Sequence, residues 1–297
     1  MLAPGALAAA VVAAATAAVP GPAAGPPRAE RFATAQAAVA AALDETNFRG
    51  GVVAFGELHQ TLATADVPSA LKRFTEQIFP GLAPRLSQLV VETWMTTGRC
   101  GEGEKAVTAD VQKTTERPAQ TETEIETLLR LAQASGVRPS ILTIGCQDYQ
   151  AMRADGGVDY DRTLRVTAGA LQAALARALR AGAVAARTGG PRLVAVYGGA
   201  LHNDLHPEPE LSAYSFAPAA LKATLGHYVE VDLVVPEYAE ASVAVKGQSW
   251  WRAYRAARRP GATTLVRRDA RSFVVVFPGA PSQKRATGGI RKQSTGR

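Results

Sequence analysis

The sequence predicts an α/β fold: a parallel-rich mixed β-sheet flanked by helices. Two observations lead there. Short continuous apolar runs, not alternating ones, recur along the chain at Gly51 to Phe55, Leu89 to Glu92, Ile141 to Ile144, Leu193 to Tyr197 and Tyr228 to Val235. Runs of that kind are strands buried on both faces, as in a parallel sheet covered by helices. Stretches of helical spacing separate them, the βαβ order that places such a sheet.

The elements follow in order. Ala29 to Leu43 has helical propensity and stops before Asp44-Glu45-Thr46-Asn47. After the first strand, Ser69 to Phe79 has helical spacing and is closed by Pro80-Gly81. Beyond the second strand, Thr121 and Glu124 form a capping-box pair for a helix reaching Ala134 and ended by Ser135-Gly136. The third strand precedes a long Ala/Leu/Arg helix, Leu164 to Ala186, whose arginines gather on one side as a solvated face. Gly198-Gly199 halts the fourth strand. Pro218 to Leu225 is a helix before the long fifth strand, Trp250 to Arg258 is helical, and Thr263 to Arg267 and Ser272 to Phe277 are closing strands.

With 297 residues, 47% of them hydrophobic, the chain can bury a large core. Net charge is +7, but Lys284, Arg285, Arg291, Lys292 and Arg297 supply five of those charges within residues 282–297, which hold no acid. That segment reads as a disordered basic tail, and no nucleic-acid partner is expected. Residues 1–27 read as a leader: the apolar stretch Ala6 to Val19 has signal-peptide dimensions, and Ala15-Thr16-Ala17 fits small-x-small cleavage, although no Lys or Arg precedes it. Export to the periplasm or medium is the expectation, with a cytoplasmic location as the alternative and no transmembrane anchor. Residues 28–281 then form one α/β domain. The two cysteines, Cys100 and Cys146, read as one disulfide in an exported protein, with a Cys/His metal site or a Cys nucleophile served by His59 as alternatives.

In parallel sheets ligands sit beyond the carboxyl ends of the strands. The first strand ends in Gly56-Glu57-Leu58-His59, the second in Glu92-Thr93-Trp94, the third in Gly145-Cys146-Gln147-Asp148, and the fourth in Gly199-Ala200-Leu201-His202-Asn203-Asp204. Two of the four histidines and several acids therefore fall at corresponding ends of different strands. Imidazole with carboxylate is both a ligand set for divalent metals and an acid/base set. The repeat sharpens the reading: Gly56-x-x-His59 and Gly199-x-x-His202 each follow an apolar strand, one in each half of the chain.

On these residues the sequence resembles the Tiki/TraB/ChaN-like superfamily, related to erythromycin esterases. The likeness runs from about Gly51 to Val235. It implies two related halves with the site at their shared mouth, His59 and His202 as the paired histidines, Glu57 as the acid of the first motif and Glu92 as the strand-two acid. It also implies an exported hydrolase acting on a small molecule or peptide through Glu57, His59, Glu92 and His202. A divalent metal would be held by His59, Glu92 and His202. The alternatives are a haem-binding uptake protein, with His59 and His202 at the cofactor, and a degenerate member acting as an interaction module. The chain departs from ChaN-like haem proteins in having no further His from Gln60 to Ala65, and from erythromycin esterases in a Gly-Glu-x-His one residue shorter.

Other residues read more plainly. Asp148, Asn203 and Asp204 suit turns. Pro207 and Pro209 argue against a helix pairing His206 with His202. His227 reads as structural, and Trp250-Trp251 as packing anchors. Arg99 and Arg117, on the loop from Thr97 to Gln120, are within reach of an anionic substrate group, although solvated arginines are the default.

Overall fold

A computed structural model of the chain describes residues 25–96, 100, 117–154, 157–187, 189 and 193–279. The expected leader up to residue 24, Arg99 and the basic tail lie outside them.

The chain opens with strand β1 (Arg28–Phe32), helix α1 (Ala35–Glu45) and strand β2 (Gly51–Glu57). A helical segment follows in two short pieces, α2 (Ala70–Arg73) and α3 (Phe79–Leu82), joined by a π-turn. Next come β3 (Leu86–Thr96), α4 (Gln120–Ala134), β4 (Arg138–Ile144) and α5 (Cys146–Ala151). A two-stranded ribbon of β5 (Arg153–Ala154) and β6 (Gly157–Val158) leads into α6 (Tyr160–Arg187). The second half runs β7 (Leu193–Gly199), α7 (Ala200–Asn203), α8 (Ala217–Ala223), β8 (Tyr228–Val234), α9 (Pro236–Ala241), α10 (Val243–Gly247), α11 (Ser249–Ala257), β9 (Thr263–Arg267) and β10 (Ser272–Val276).

Eight strands form one sheet in the order β1-β9-β10-β8-β2-β7-β3-β4. Every pairing is parallel except those of β9, which runs antiparallel to β1 and β10. The expected mixed, parallel-rich sheet is therefore present. Its strands are covered on both faces: Val53, Phe55, Ala195 and Val231 pack with Val39, Leu43, Phe74 and Leu128 on one side. Val52, Ala54, Val90 and Val196 pack with Leu171, Leu175 and Phe216 on the other. Trp250, Trp251 and Tyr254 of α11 are buried against Val266, Val274 and Val276, so the tryptophans are packing anchors. No helix among the described residues is long and apolar enough to cross a membrane. Cys100 and Cys146 are joined in a disulfide.

Three local expectations change. The helix expected from Ala29 begins only at Ala35, where Thr34 caps it by accepting from the Ala37 N–H at 3.1 Å. Residues 28–32 instead pair along β9, since tertiary pairing overrides a weak helical propensity. The Thr121/Glu124 capping box does not form, because the N-cap is Ala119 and the Glu124 carboxylate accepts a hydrogen bond from the Ser69 hydroxyl at 2.5 Å. The long helix starts at Tyr160, four residues before the expected Leu164, and its Arg162, Arg165, Arg177, Arg180 and Arg187 are exposed.

Candidate functional site at the carboxyl ends of the central strands

β2 and β7, which carry the two Gly-x-x-His motifs, are direct neighbours, with Gly56 opposite Gly198. β8 flanks β2 with Asp232 opposite Gly56, and β3 flanks β7 with Val91 opposite Tyr197. Glu92 therefore stands beside Gly198. A β-bulge helps to place it: against β4 the register passes from Val91 directly to Trp94, so Glu92 and Thr93 have no partners there. Bulges of this kind re-aim side chains at the rim of a sheet.

The two opposed glycines form a notch. A Cβ at Gly198 would lie 2.5 Å from Glu92 Oε2, and one at Gly56 would lie 2.5 Å from the Asn203 side-chain amide and 2.6 Å from Asp232 Oδ1. Each missing side chain leaves room for polar groups to settle on the backbone.

One chain of contacts begins in the core. The buried Tyr197 hydroxyl donates to Glu57 Oε2, and Glu57 Oε1 stands 2.8 Å from His59 Nδ1. Burial pushes the Tyr197 phenol well above its ordinary range and the charge of Glu57 adds to that, so Tyr197 acts only as a donor. A carboxylate on Nδ1 fixes the imidazole with its proton there and leaves Nε2 as the acceptor. Nε2 faces the mouth, where it accepts from Nη2 of Arg117. His59 is 29% exposed, and its Nε2 would touch a Cβ at Gly199 at 2.9 Å. Nε2 thus lies over the end of β7, beneath the Arg117 guanidinium.

Glu92 is the hub between the two motifs. Its Oε2 accepts from the Gly199 N–H at 2.6 Å, and its Oε1 lies 3.8 Å from His202 Nε2, too long for a hydrogen bond but within ion-pair range of a protonated ring. Burial works to raise the Glu92 pKa. His202, His59 and Arg117 with the Gly199 N–H outweigh burial, and the carboxyl titrates below its ordinary value. His202 is buried, and its Nδ1 donates to the Tyr214 carbonyl at 2.7 Å. Tyr160, at the start of α6, belongs here too: burial raises its phenol, while Arg117 lowers it and Glu92 raises it further.

A second buried polar cluster adjoins α7. Arg268 pairs with Glu230 and, at 3.0 Å, with Asp232 Oδ2. Burial raises both carboxyls against the opposing pull of Arg268.

The structure brings Glu57, His59, Glu92 and His202 to one mouth, as the repeated motif anticipated. Their arrangement differs from a metal cage. Both ring nitrogens of His59 are engaged, by Glu57 and Arg117, and His202 commits Nδ1 to a carbonyl. No group of three or more His, Cys, Asp or Glu side chains among the described residues could hold a metal ion. As the side chains stand, the set His59, Glu92 and His202 is not arranged to hold an ion, since Arg117 sits on His59 Nε2, the nitrogen that a metal or a haem iron would need. His206 stands apart, 2.7 Å from Asp269. Asp148 lies 3.6 Å from Arg162. His227 also stands apart, and its backbone carbonyl accepts from the Val52 N–H at 3.0 Å. Tyr160, Tyr197, Glu230 and Asp232 were not anticipated. The last two did leave a signal, since acids at alternate positions of an otherwise apolar strand share one buried face.

Fold and site together define an α/β protein with a cluster of imidazole and carboxylate side chains at the carboxyl ends of its central parallel strands. No family model and no curated protein matches the chain. Among solved structures, that of the type III effector HopBA1 is similar, with 11% sequence identity and a TM-score of 0.37 over 81% of this chain and 93% of that one. A likeness at that level bears on neither family nor function.

Proposed function

We propose that the chain is an exported hydrolase of the Tiki/TraB/ChaN-like kind, with His59 as general base. The observation that carries this reading is the Tyr197–Glu57–His59 chain, which ends at His59 Nε2 beneath Arg117. Water at Nε2 gives up its proton as its oxygen bonds to an ester or amide carbonyl carbon, and the imidazolium returns that proton to the leaving alcohol or amine as the carbon–oxygen or carbon–nitrogen bond breaks. Glu57 on Nδ1 holds the imidazolium, the part an orienting carboxylate plays in hydrolytic triads. Glu92, ionised and seated on the Gly199 N–H, adds a fixed negative charge that stabilises that imidazolium. The disulfide supports an oxidising compartment.

Hydrolysis of mono-p-nitrophenyl succinate, with p-nitrophenyl acetate beside it, and of a fluorogenic peptide library tests this. His59→Ala is expected to cost about 10²–10⁴-fold in kcat/KM, with circular dichroism unchanged. Glu57→Gln should lose activity through kcat. Wild-type turnover that survives His59→Ala would sink the reading.

A further inference from the structure

The four carboxylate oxygens of the site are directed to groups other than Arg117. Glu57 uses one on His59 and one on Tyr197; Glu92 uses one on the Gly199 N–H and turns the other to His202. Arg117 thus stands beside two carboxylates without an ion pair to either. Among the described residues its hydrogen bond goes to the imidazole of His59, an acceptor that is neutral when it receives an N–H at Nε2. A guanidinium carries five donors in a planar fork that matches a carboxylate bidentately, and among the described residues most of this fork is uncommitted. It also rests on the nitrogen assigned above as the base, so water cannot reach Nε2 until the guanidinium moves.

We propose that Arg117 is the receptor for a carboxylate of the substrate, which draws the guanidinium off His59 Nε2 and so exposes the base. This rests on the reading of His59 as base. It also narrows the substrate. A carboxylate held by Arg117 and a water held by Nε2 are separated by little more than one hydrogen-bond length on each side, about 3 Å each. The hydrolysed carbonyl therefore lies within a few bonds of a free carboxylate, as it does at the carboxyl-terminal residue of a peptide or in an ester of a small hydroxy acid. Neutral esters lack the group that clears the base and are poor substrates. Arg117 then acts in specificity, while proton transfer belongs to His59.

Acetate is the probe. With four histidines in the chain, ring resonances can be assigned by nuclear magnetic resonance using single substitutions. In the wild type at fixed pH, sodium acetate is expected to shift the His59 resonance saturably, whereas acetamide and sodium chloride at matched ionic strength are not. His206, held by Asp269, serves as the internal reference. Arg117→Gln should weaken acetate binding by at least about tenfold, and Arg117→Lys, which keeps the charge, by less. Thermal melts confirm that each variant is folded, and Arg117→Lys carries the comparison if Arg117→Gln is not. A wild-type His59 that ignores acetate, or responds equally to acetamide, overturns the proposal, as does unweakened binding in Arg117→Gln. If acetate binds as expected but no ester or peptide is hydrolysed, the receptor stands and the hydrolase reading fails.

Discussion

Gly198→Ala is the sharpest test of how Glu92 is held. Gly198 does not have a φ in the left-handed region, so alanine brings no backbone strain and the cost is packing alone. The new methyl would meet Glu92 Oε2 at 2.5 Å and Glu92 Cβ at 3.0 Å, the former short of ordinary contact by about 0.9 Å. A carboxylate displaced that far loses its 2.6 Å bond from the Gly199 N–H. Overpacking costs about 1–3 kcal/mol, and losing a hydrogen bond to a charged group costs about 1.5–3 kcal/mol. One displacement causes both, so they overlap, and about 3 kcal/mol is expected. Urea denaturation at neutral pH measures it. Gly169→Ala is the control: it lies within α6 with nothing within 4 Å of a new Cβ, and it should stabilise by about 0.5–1 kcal/mol. If Gly198→Ala falls within about 0.5 kcal/mol of the wild type, Glu92 is not seated over this glycine and the architecture of the site is wrong.

Two further outcomes follow. Burial, opposed by Arg268, raises the folded pKa of Asp232 from 3.8 to about 6. A carboxyl with a raised folded pKa favours the fold at low pH, and that contribution falls as pH rises from the unfolded value toward the folded one. The stability of the wild type relative to Asp232→Asn should therefore decline between pH 4 and pH 6 and level off above, as read from denaturation midpoints; a flat difference refutes the burial of Asp232. Replacing Cys100 and Cys146 together by Ser opens a link spanning 46 residues of sequence separation, with an expected loss of about 2–4 kcal/mol in thermal or chemical denaturation. Reductant should lower the wild type to the level of the variant and leave the variant unchanged.

Much of the fold was legible in the chain because its cause is local. Continuous runs such as Val52 to Phe55 and Val194 to Tyr197 can only be strands buried on both faces. The repeated Gly-x-x-His pointed to the mouth for the same reason, since a motif at the end of a parallel strand has a fixed address. β1 was misread as helix because five residues of mixed propensity are decided by their partner, β9, more than two hundred positions away. Glu124 was misread as a cap because its partner, Ser69, lies across the fold.

What the sequence determined alone is the sheet, the strand ends and the four side chains Glu57, His59, Glu92 and His202. Their chemistry was decided by tertiary structure. Whether His59 is a ligand or a base depends on which groups meet its two nitrogens. Glu57 is two residues away and was visible; Arg117, 58 positions on, and Tyr197, 140 positions from Glu57, were not linked to it by any pattern. Spacing along a chain constrains neighbours within an element, whereas the protonation and hydrogen bonding of a site depend on groups that only the packed sheet brings within 3 Å or so.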